Sequence, residues 1–281
     1  MSVAIVTDST ADLEPALARE LGVTVVPLYV IFGQQRYLDG VEMTRAEFFK
    51  RMAAGGALPS TSQPTSQAFE DAYRPLVEAG HEVVSIHISS KLSGTINSAG
   101  AGAQAFAHAR IERFDSQTAS GGLGLLVTGA ARMAREGAGS DEILAALHAW
   151  RASQHGYAVF PDLNHLVRGG RIGKARALVG GILRIVPIVE VKDGEAHEYG
   201  KARTFTRGLD DVATAAVSHV LRPEDARLAV VHTNAPEIAA ELVARLRARL
   251  PVQAQEILTV AAGPAIGVHG GPGAAGVFSV G

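Results

Sequence analysis

The sequence predicts an α/β fold in two domains. Residues 1–158 read as a three-layer, Rossmann-like parallel-sheet domain, and residues 159–281 as an α/β domain with a mixed sheet. Three observations carry this. Short apolar runs alternate with amphipathic helical stretches through the first half, which is the pattern of βαβ units. Several of those runs end in clusters of hydroxyls and acids. Near residues 155–160 the texture changes, and a basic, glycine-punctuated stretch and a hairpin signal then interrupt the alternation.

The elements follow in chain order. Residues 3–6 form an apolar strand that ends at Thr7, Asp8, Ser9 and Thr10. A helix through about Leu21 carries Leu13, Leu17 and Leu21 on one face, and Ser9 and Asp12 have capping-box-like spacing. Residues 23–29 read as a second strand. Residues 44–54 read as a helix opened by Thr44 and Glu47 as a capping box. The segment GGALPSTSQPTS, residues 55–66, is rich in turn formers and reads as a loop. A helix over 67–79, a strand from 83, a helix over 96–107 and a strand over 111–114 come next. Helices at about 121–135 and 140–153 complete the first half. In a parallel sheet ligands bind outside the carboxyl ends of the strands. TDST (7–10), ISS (88–90) and DSQT (115–118) are therefore expected on one rim.

In the second half, residues 157–160 read as a strand. Residues 185–191 and 196–199 flank Lys192-Asp193-Gly194, a hairpin signal. A helix near 208–221, a strand over 227–232, a helix over 236–250, a strand over 252–258 and a glycine-rich tail close the chain.

Composition excludes several classes. The chain is 47% hydrophobic and 19% charged, enough for a sizeable core, and its net charge of -2 argues against a basic nucleic-acid surface. Cysteine is absent, which removes disulfides and thiolate chemistry and fits a cytoplasmic location. The N-terminus lacks the basic and apolar regions of a signal peptide. No apolar run reaches the roughly 20 residues that cross a bilayer, so no integral membrane segment is expected. The histidines are scattered, without HExxH or paired His/carboxylate spacing, so no metal site is expected.

Four segments carry candidate chemistry. HISSKLSGT, 87–95, joins a buried strand to a helix. Its hydroxyls stand where the first backbone N–H groups of a helix are unpaired, a place that suits an anion. The simpler reading is capping by Ser90 or Ser93. PSTSQP, 59–64, offers Thr61 and Ser62 between two prolines, although alone it reads as a surface turn. GPAIGVHGGPGA, 263–274, holds His269 among five glycines and two prolines. VRGGRIGKAR, 167–176, reads either as a solvated basic helix start or as a docking patch for an acidic or phosphorylated partner. It is not a Walker A loop: Arg168 stands at the first glycine position and Ala175 replaces Ser/Thr. The GxGxxA match at 100–105 lies inside a helix and not at a strand end. Ser93 has no GxSxG elbow, yet a hydrolase pairing Ser93 with His269 stays open because such pairs are defined by geometry.

Taken together, VTDSTADL (6–13), DGVEMT (39–44), PSTSQPT (59–65), ISSKLSGT (88–95), DSQTAS (115–120), LVRGGRIGKARAL (166–178) and GPAIGVHGGPGA (263–274) resemble the DegV family. These are the bacterial fatty-acid-binding proteins that serve fatty acid kinase. The resemblance runs from end to end in the same order. It implies the family's two α/β domains (the EDD fold) with a long-chain fatty acid, such as palmitate or oleate, between or beneath them. By resemblance the carboxylate is held by Thr61, Ser93 and His269, with the backbone around Gly94, Thr95 and Gly270 as a supplement. Gly270 departs from the family, where threonine often follows the histidine, so donors near the carboxylate are expected to differ. The resemblance further implies a non-catalytic protein without a cofactor. It presents the bound acid to a separate kinase, which makes an acyl phosphate for phospholipid metabolism. Arg168, Arg171, Lys174 and Arg203 are then contacts for the kinase.

Physical chemistry makes that arrangement reasonable. A buried acyl chain gains about 0.8 kcal/mol per methylene, and a buried carboxylate without partners costs several kcal/mol. Two hydroxyls, an imidazole and a helix start meet that need. The clamp is expected to be free of Lys and Arg, and the acyl tunnel to draw on residues 123–133 and 178–191.

Overall fold

A computed structural model describes residues 2–178, 185–220, 226–250 and 257–281. In chain order its strands are β1 (Val3–Asp8), β2 (Thr24–Val26), β3 (Tyr29–Phe32), β4 (Gln35–Leu38), β5 (Ser60–Ser62), β6 (Glu82–His87), β7 (Ile111–Asp115), β8 (His155–Val159), β9 (Val186–Lys192), β10 (Glu195–Ala202), β11 (Arg227–His232), β12 (Ile257–Ala261) and β13 (Ala275–Val280). Its α-helices are α1 (Pro15–Leu21), α2 (Arg45–Ala53), α3 (Ser66–Glu78), α4 (Thr95–Ala103), α5 (Gly121–Arg135), α6 (Ser140–Ser153), α7 (Asn164–Arg168), α8 (Phe205–Ser218), α9 (Pro236–Arg247) and α10 (Pro264–Gly270).

The strands form three sheets. The first is fully parallel, in the order β2-β1-β6-β7. Its side chains alternate between faces, as a strand's two-residue period requires. Val6 and Val83 meet α3 and α4, whereas Val3, Ile5, Val84 and Ile86 meet α5. The second sheet has the order β10-β9-β8-β13-β11-β12 and is mixed: only β11 and β12 run parallel. α8 and α9 cover one of its faces. The small third sheet, β4-β3-β5, is antiparallel.

α5 joins the two large sheets. It packs on β1 on one side and on β11 and β13 on the other, so one core includes Leu123, Leu126 and Val127 together with Ile5, Val231 and Phe278. This corrects the expectation that residues 123–133 line a tunnel. A helix buried all round serves as a core element. Residues 179–184 of the other proposed tunnel segment lie outside the described residues, as do 252–256 of the strand expected over 252–258 and Leu221 of the helix expected over 208–221.

Local signals mostly act as read. Thr44 Oγ1 accepts from the Glu47 N–H at 3.2 Å and opens α2. Asp193 and Gly194, with φ of 51° and 82°, make the two-residue turn between Lys192 and Glu195, which is the positive-φ chemistry of a type I′ hairpin. Ser9 and Asp12 do not form a capping box. Instead Asp8 caps a 3₁₀ turn, Ser9–Ala11, by accepting from the Thr10 N–H at 3.1 Å, and α1 begins only at Pro15.

Two readings of glycine-rich sequence change. The segment read as a tail contains β13, a fully buried central strand between β8 and β11. The segment read as a glycine loop around His269 contains α10, which starts at Pro264, where proline's missing N–H costs nothing.

Candidate functional site

The three polar strand ends do share one rim, at the carboxyl ends of β1, β6 and β7, but they largely satisfy one another. Asp8 accepts from the Ile88 N–H at 3.0 Å and bonds the ring of His87 at 3.0 Å. His87 in turn reaches Ser85 at 2.7 Å, and Ser85 reaches Tyr73 at 2.8 Å. Asp115 accepts from the Ser90 N–H and hydroxyl and from the Gln117 N–H. These bonds leave the rim rigid and place a cavity beside it.

That cavity has a volume of about 390 Å³, within the range of small-molecule pockets, and is lined by strands of the second sheet, by β5 and by the segments that follow β1 and β6. Its walls are mainly apolar, with Leu28, Ile88, Leu92, Val189, Val191, Val231 and Phe278 among them. Thr61, Ser93, His269 and Gly270 also line it, as do Gln63, Arg171 and Thr233. Of the described residues in the proposed tunnel stretch, 178 and 185–191, only Val189 and Val191 are in the wall.

Each polar residue arrives by a different route. Thr61 sits on β5, pairing with Val30 of β3, where the sequence read a loop. Its flanking prolines, Pro59 and Pro64, lack the N–H a longer ladder needs, so only three residues pair. Thr61 Oγ1 lies 2.9 Å from His269 Nε2. Ser93 stands in the turn between β6 and α4, and its hydroxyl bonds that of Thr95 at 2.8 Å. Neither Ser90 nor Ser93 caps α4. Its N-cap is Gly94, without a side-chain bond, so the capping reading of these serines fails.

Gly94 and Thr95 stand behind Ser93, outside the cavity lining, and Thr95 is fully buried. Gln63 lies across Gly94, where a Cβ would fall 2.1 Å from its Oε1, and donates to Ser98 Oγ at 2.8 Å. This contact seats the Thr61 strand beside the Ser93 turn. Gln63 belongs to the PSTSQP motif, where local sequence gives it no role because its partner, Ser98, lies in α4.

His269 occupies the last turn of α10. Burial first, then the charges of Arg171 and His165, push its pKa down to about 4. The ring is therefore neutral at physiological pH and carries one N–H. Its Nδ1 is buried and has no hydrogen-bond partner among the described residues, and it faces Gly169, where a Cβ would lie 2.1 Å away. Gly169→Ala should therefore displace the ring. We expect a loss of about 1–3 kcal/mol, typical of overpacking, read by denaturant unfolding, and weaker ligand binding. Unchanged unfolding and binding would show that the helix end gives way freely.

The four basic residues separate. Arg168, Lys174 and Arg203 are exposed, and Lys174 pairs with Glu195 at 2.9 Å. Arg171 turns inward. It donates to the carbonyls of Leu92 at 3.1 Å and Gly169 at 2.6 Å and lines the cavity. The expectation of a clamp free of Lys and Arg is therefore corrected: the chain doubles back after α7, and these carbonyls anchor one guanidinium beside His269. Among the described residues no group of three His, Cys, Asp or Glu is placed to hold a metal ion, and no helix is long and apolar enough to cross a membrane.

Comparison with known proteins gives an end-to-end match. The family described as "Uncharacterised protein, DegV family" matches residues 2–281. A DegV domain-containing protein of Deinococcus radiodurans is 40% identical over 278 residues, covering 99% of this chain and 98% of the relative. A solved DegV-family structure from Thermus thermophilus, described as binding fatty acid, superposes with a TM-score of 0.94 at 36% identity, covering 100% of this chain and 99% of that one. A stearic acid-binding protein of Eubacterium ventriosum superposes with a TM-score of 0.89 at 29% identity, covering 99% and 98%.

Proposed function

The chain belongs to the DegV family, and from that premise we propose that it binds a long-chain fatty acid such as palmitate or oleate in the cavity. The observation that carries this reading is one apolar cavity whose lining gathers Thr61, Ser93, His269 and Arg171. The hydroxyls and the imidazole Nε2–H, which the ligand shares with Thr61 Oγ1, supply donors for a carboxylate, and Arg171 supplies a fixed positive charge, which together offset the cost of burying the head group. Residues 1–158 contribute Thr61 and Ser93, and residues 159–281 contribute His269 and Arg171, so both proposed domains grip the head group. Of the backbone positions expected to supplement them, Gly270 lines the cavity, whereas Gly94 and Thr95 stand behind Ser93 and act by shaping its turn.

In this reading the protein does no chemistry and needs no cofactor. It works in the cytoplasm and presents the acid to an ATP-dependent fatty acid kinase that forms the acyl phosphate. Exposed Arg168, Lys174 and Arg203 meet the kinase, and Arg171, half-buried in the cavity, acts at the head group. Hydrolysis by Ser93 and His269 is disfavoured by geometry: His269 Nε2 bonds Thr61 rather than Ser93, and no carboxylate orients Nδ1 among the described residues.

Mass spectrometry of the purified protein should find a bound fatty acid, and delipidated protein should take up added palmitate or oleate. Finding neither would overturn the reading. Ser93→Ala should weaken that uptake by about tenfold, the worth of one hydrogen bond to a charged group. If the protein instead hydrolysed acyl esters and lost that turnover in Ser93→Ala, the hydrolase reading would replace it.

A further inference from the structure

Two motifs of the sequence, VTDSTADL and DGVEMT, contribute almost nothing to the cavity lining, yet each places a buried carboxylate in the same spot. Asp12 and Asp39 are each only 4% exposed. Asp12 Oδ1 accepts from the Gly263 N–H at 2.7 Å, and its Oδ2 accepts from the Ser120 hydroxyl. Asp39 Oδ1 accepts from the Ala265 N–H at 3.3 Å. Gly263 lies between the two acids: a Cβ there would stand 3.0 Å from Asp12 Oδ1 and 3.5 Å from Asp39 Oδ1. Asp12 holds this place at φ 53°, a left-handed conformation that disfavours a side chain and persists only where the surroundings impose it.

The two backbone donors bracket Pro264, the first residue of α10, and α10 carries His269. The acids therefore fix one end of the helix whose other end meets the head-group site. We propose that Asp12 and Asp39 are positioning residues for His269, a carboxylate pair that sets the seat of α10 and, through it, the affinity of the cavity for its ligand. This rests on the fatty-acid reading of the cavity.

The charge state of the pair matters because both acids are buried together. Burial is the largest cause of the upward shift at each, taking Asp12 to about 7 and Asp39 to about 6. Each is also affected by charges from the packed elements. Arg45 of α2 lowers both; Asp39 raises Asp12, and Asp8 raises Asp39. Arg45 is itself engaged by Glu14, so it is only a partial counterion. Asp39 Oδ2 has no partner among the described residues, and the hydrogen bonds from the Ser9 hydroxyl and the Ala265 N–H, which favour the charged form, are outweighed by burial, so a second charge there is poorly stabilised. At mildly acidic pH the pair carries at most one charge and holds both N–H groups. As pH rises through 6 to 8 the second charge appears and the seat loosens.

The test compares Asp39→Asn, which keeps an acceptor for the Ala265 N–H, with Asp39→Leu, which does not. Oleate affinity is measured from pH 5.5 to 8.5, and the His269 ring signals are recorded by NMR in ligand-free protein. Wild-type affinity should fall across pH 6–8. Asp39→Asn should bind within about twofold of wild type at pH 6 and flatten that profile; the ligand's own titration cancels in the comparison. Asp39→Leu should bind at least tenfold more weakly and shift the His269 signals, which Asp39→Asn leaves in place. An Asp39→Asn profile that follows wild type, or His269 signals unmoved in Asp39→Leu, overturns the proposal. If Asp39→Leu does not fold, Asp12→Asn replaces it, and a pH profile unchanged from wild type then overturns the proposal. A wild-type protein that binds no oleate refutes the fatty-acid reading alone, because the NMR comparison still decides the positioning role.

Discussion

His269→Ala should weaken binding of palmitate or oleate about 10- to 100-fold. The imidazole is a donor to the proposed carboxylate and the hydrogen-bond partner of Thr61 Oγ1 at 2.9 Å. Removing a bond to a charged group costs about 1.5–3 kcal/mol, and about 1.4 kcal/mol is a factor of ten in affinity. Arg171 and Ser93 remain, so binding is weakened rather than abolished. Calorimetric titration of delipidated protein measures this, and an affinity within twofold of wild type would remove His269 from the head-group site. The same residue carries a pH signature. Its pKa in the fold, about 4, lies below the ordinary 6.5. The unfolded imidazole protonates as pH falls below 6.5, while the folded ring stays neutral until about 4. His269 therefore costs stability progressively over that window, by about 3 kcal/mol at its acid end. His269→Ala should flatten the acid limb of the stability curve between pH 6.5 and 4, as followed by urea unfolding.

Ala158→Phe should discriminate by chain length. Ala158 lies on β8, opposite Gly276 of β13, and both line the cavity. Its neighbours along the strand, Tyr157 and Val159, face the other way into the core beneath α8 and α9. A ring at position 158 therefore enters the cavity rather than the core. Displacing roughly four methylenes of a bound chain forfeits about 3 kcal/mol at 0.8 kcal/mol each, about a 200-fold loss for oleate. Octanoate, which leaves that space empty, should bind within about threefold of its wild-type affinity. Equal losses for both acids would mean that the acyl chain runs elsewhere.

The first half of the chain was legible because each signal there is local. Apolar runs and helical periodicity placed β1, β6, β7 and the helices between them, and parallel strands put their polar ends on one rim, whereas the caps read at Ser9 and Ser93 fail and β4 was not read. The Asp193-Gly194 turn was legible for the same reason, since positive φ is a property of those two residues. β13 was not, because a six-residue strand buried on both faces shows no alternation. α10 was hidden by glycines, which normally argue against a helix. Here Gly267 lets α10 lie directly on Phe48. Thr61 was found by its motif, but its place in a three-residue strand depends on β3, about 30 residues earlier in the chain.

The sequence by itself determined the fold class and the family and supplied the residue types of the proposed head-group site, because periodicity and motifs are written along the chain. Tertiary structure decided which of those residues meet. Thr61 and His269 are 208 residues apart, yet they share a hydrogen bond, and Arg171, read as a surface cation, is turned into the cavity by carbonyls of Leu92 and Gly169. Such meetings depend on how the sheets pack around α5 and on where α10 is held, and burial and close approach there are properties of the packed chain alone.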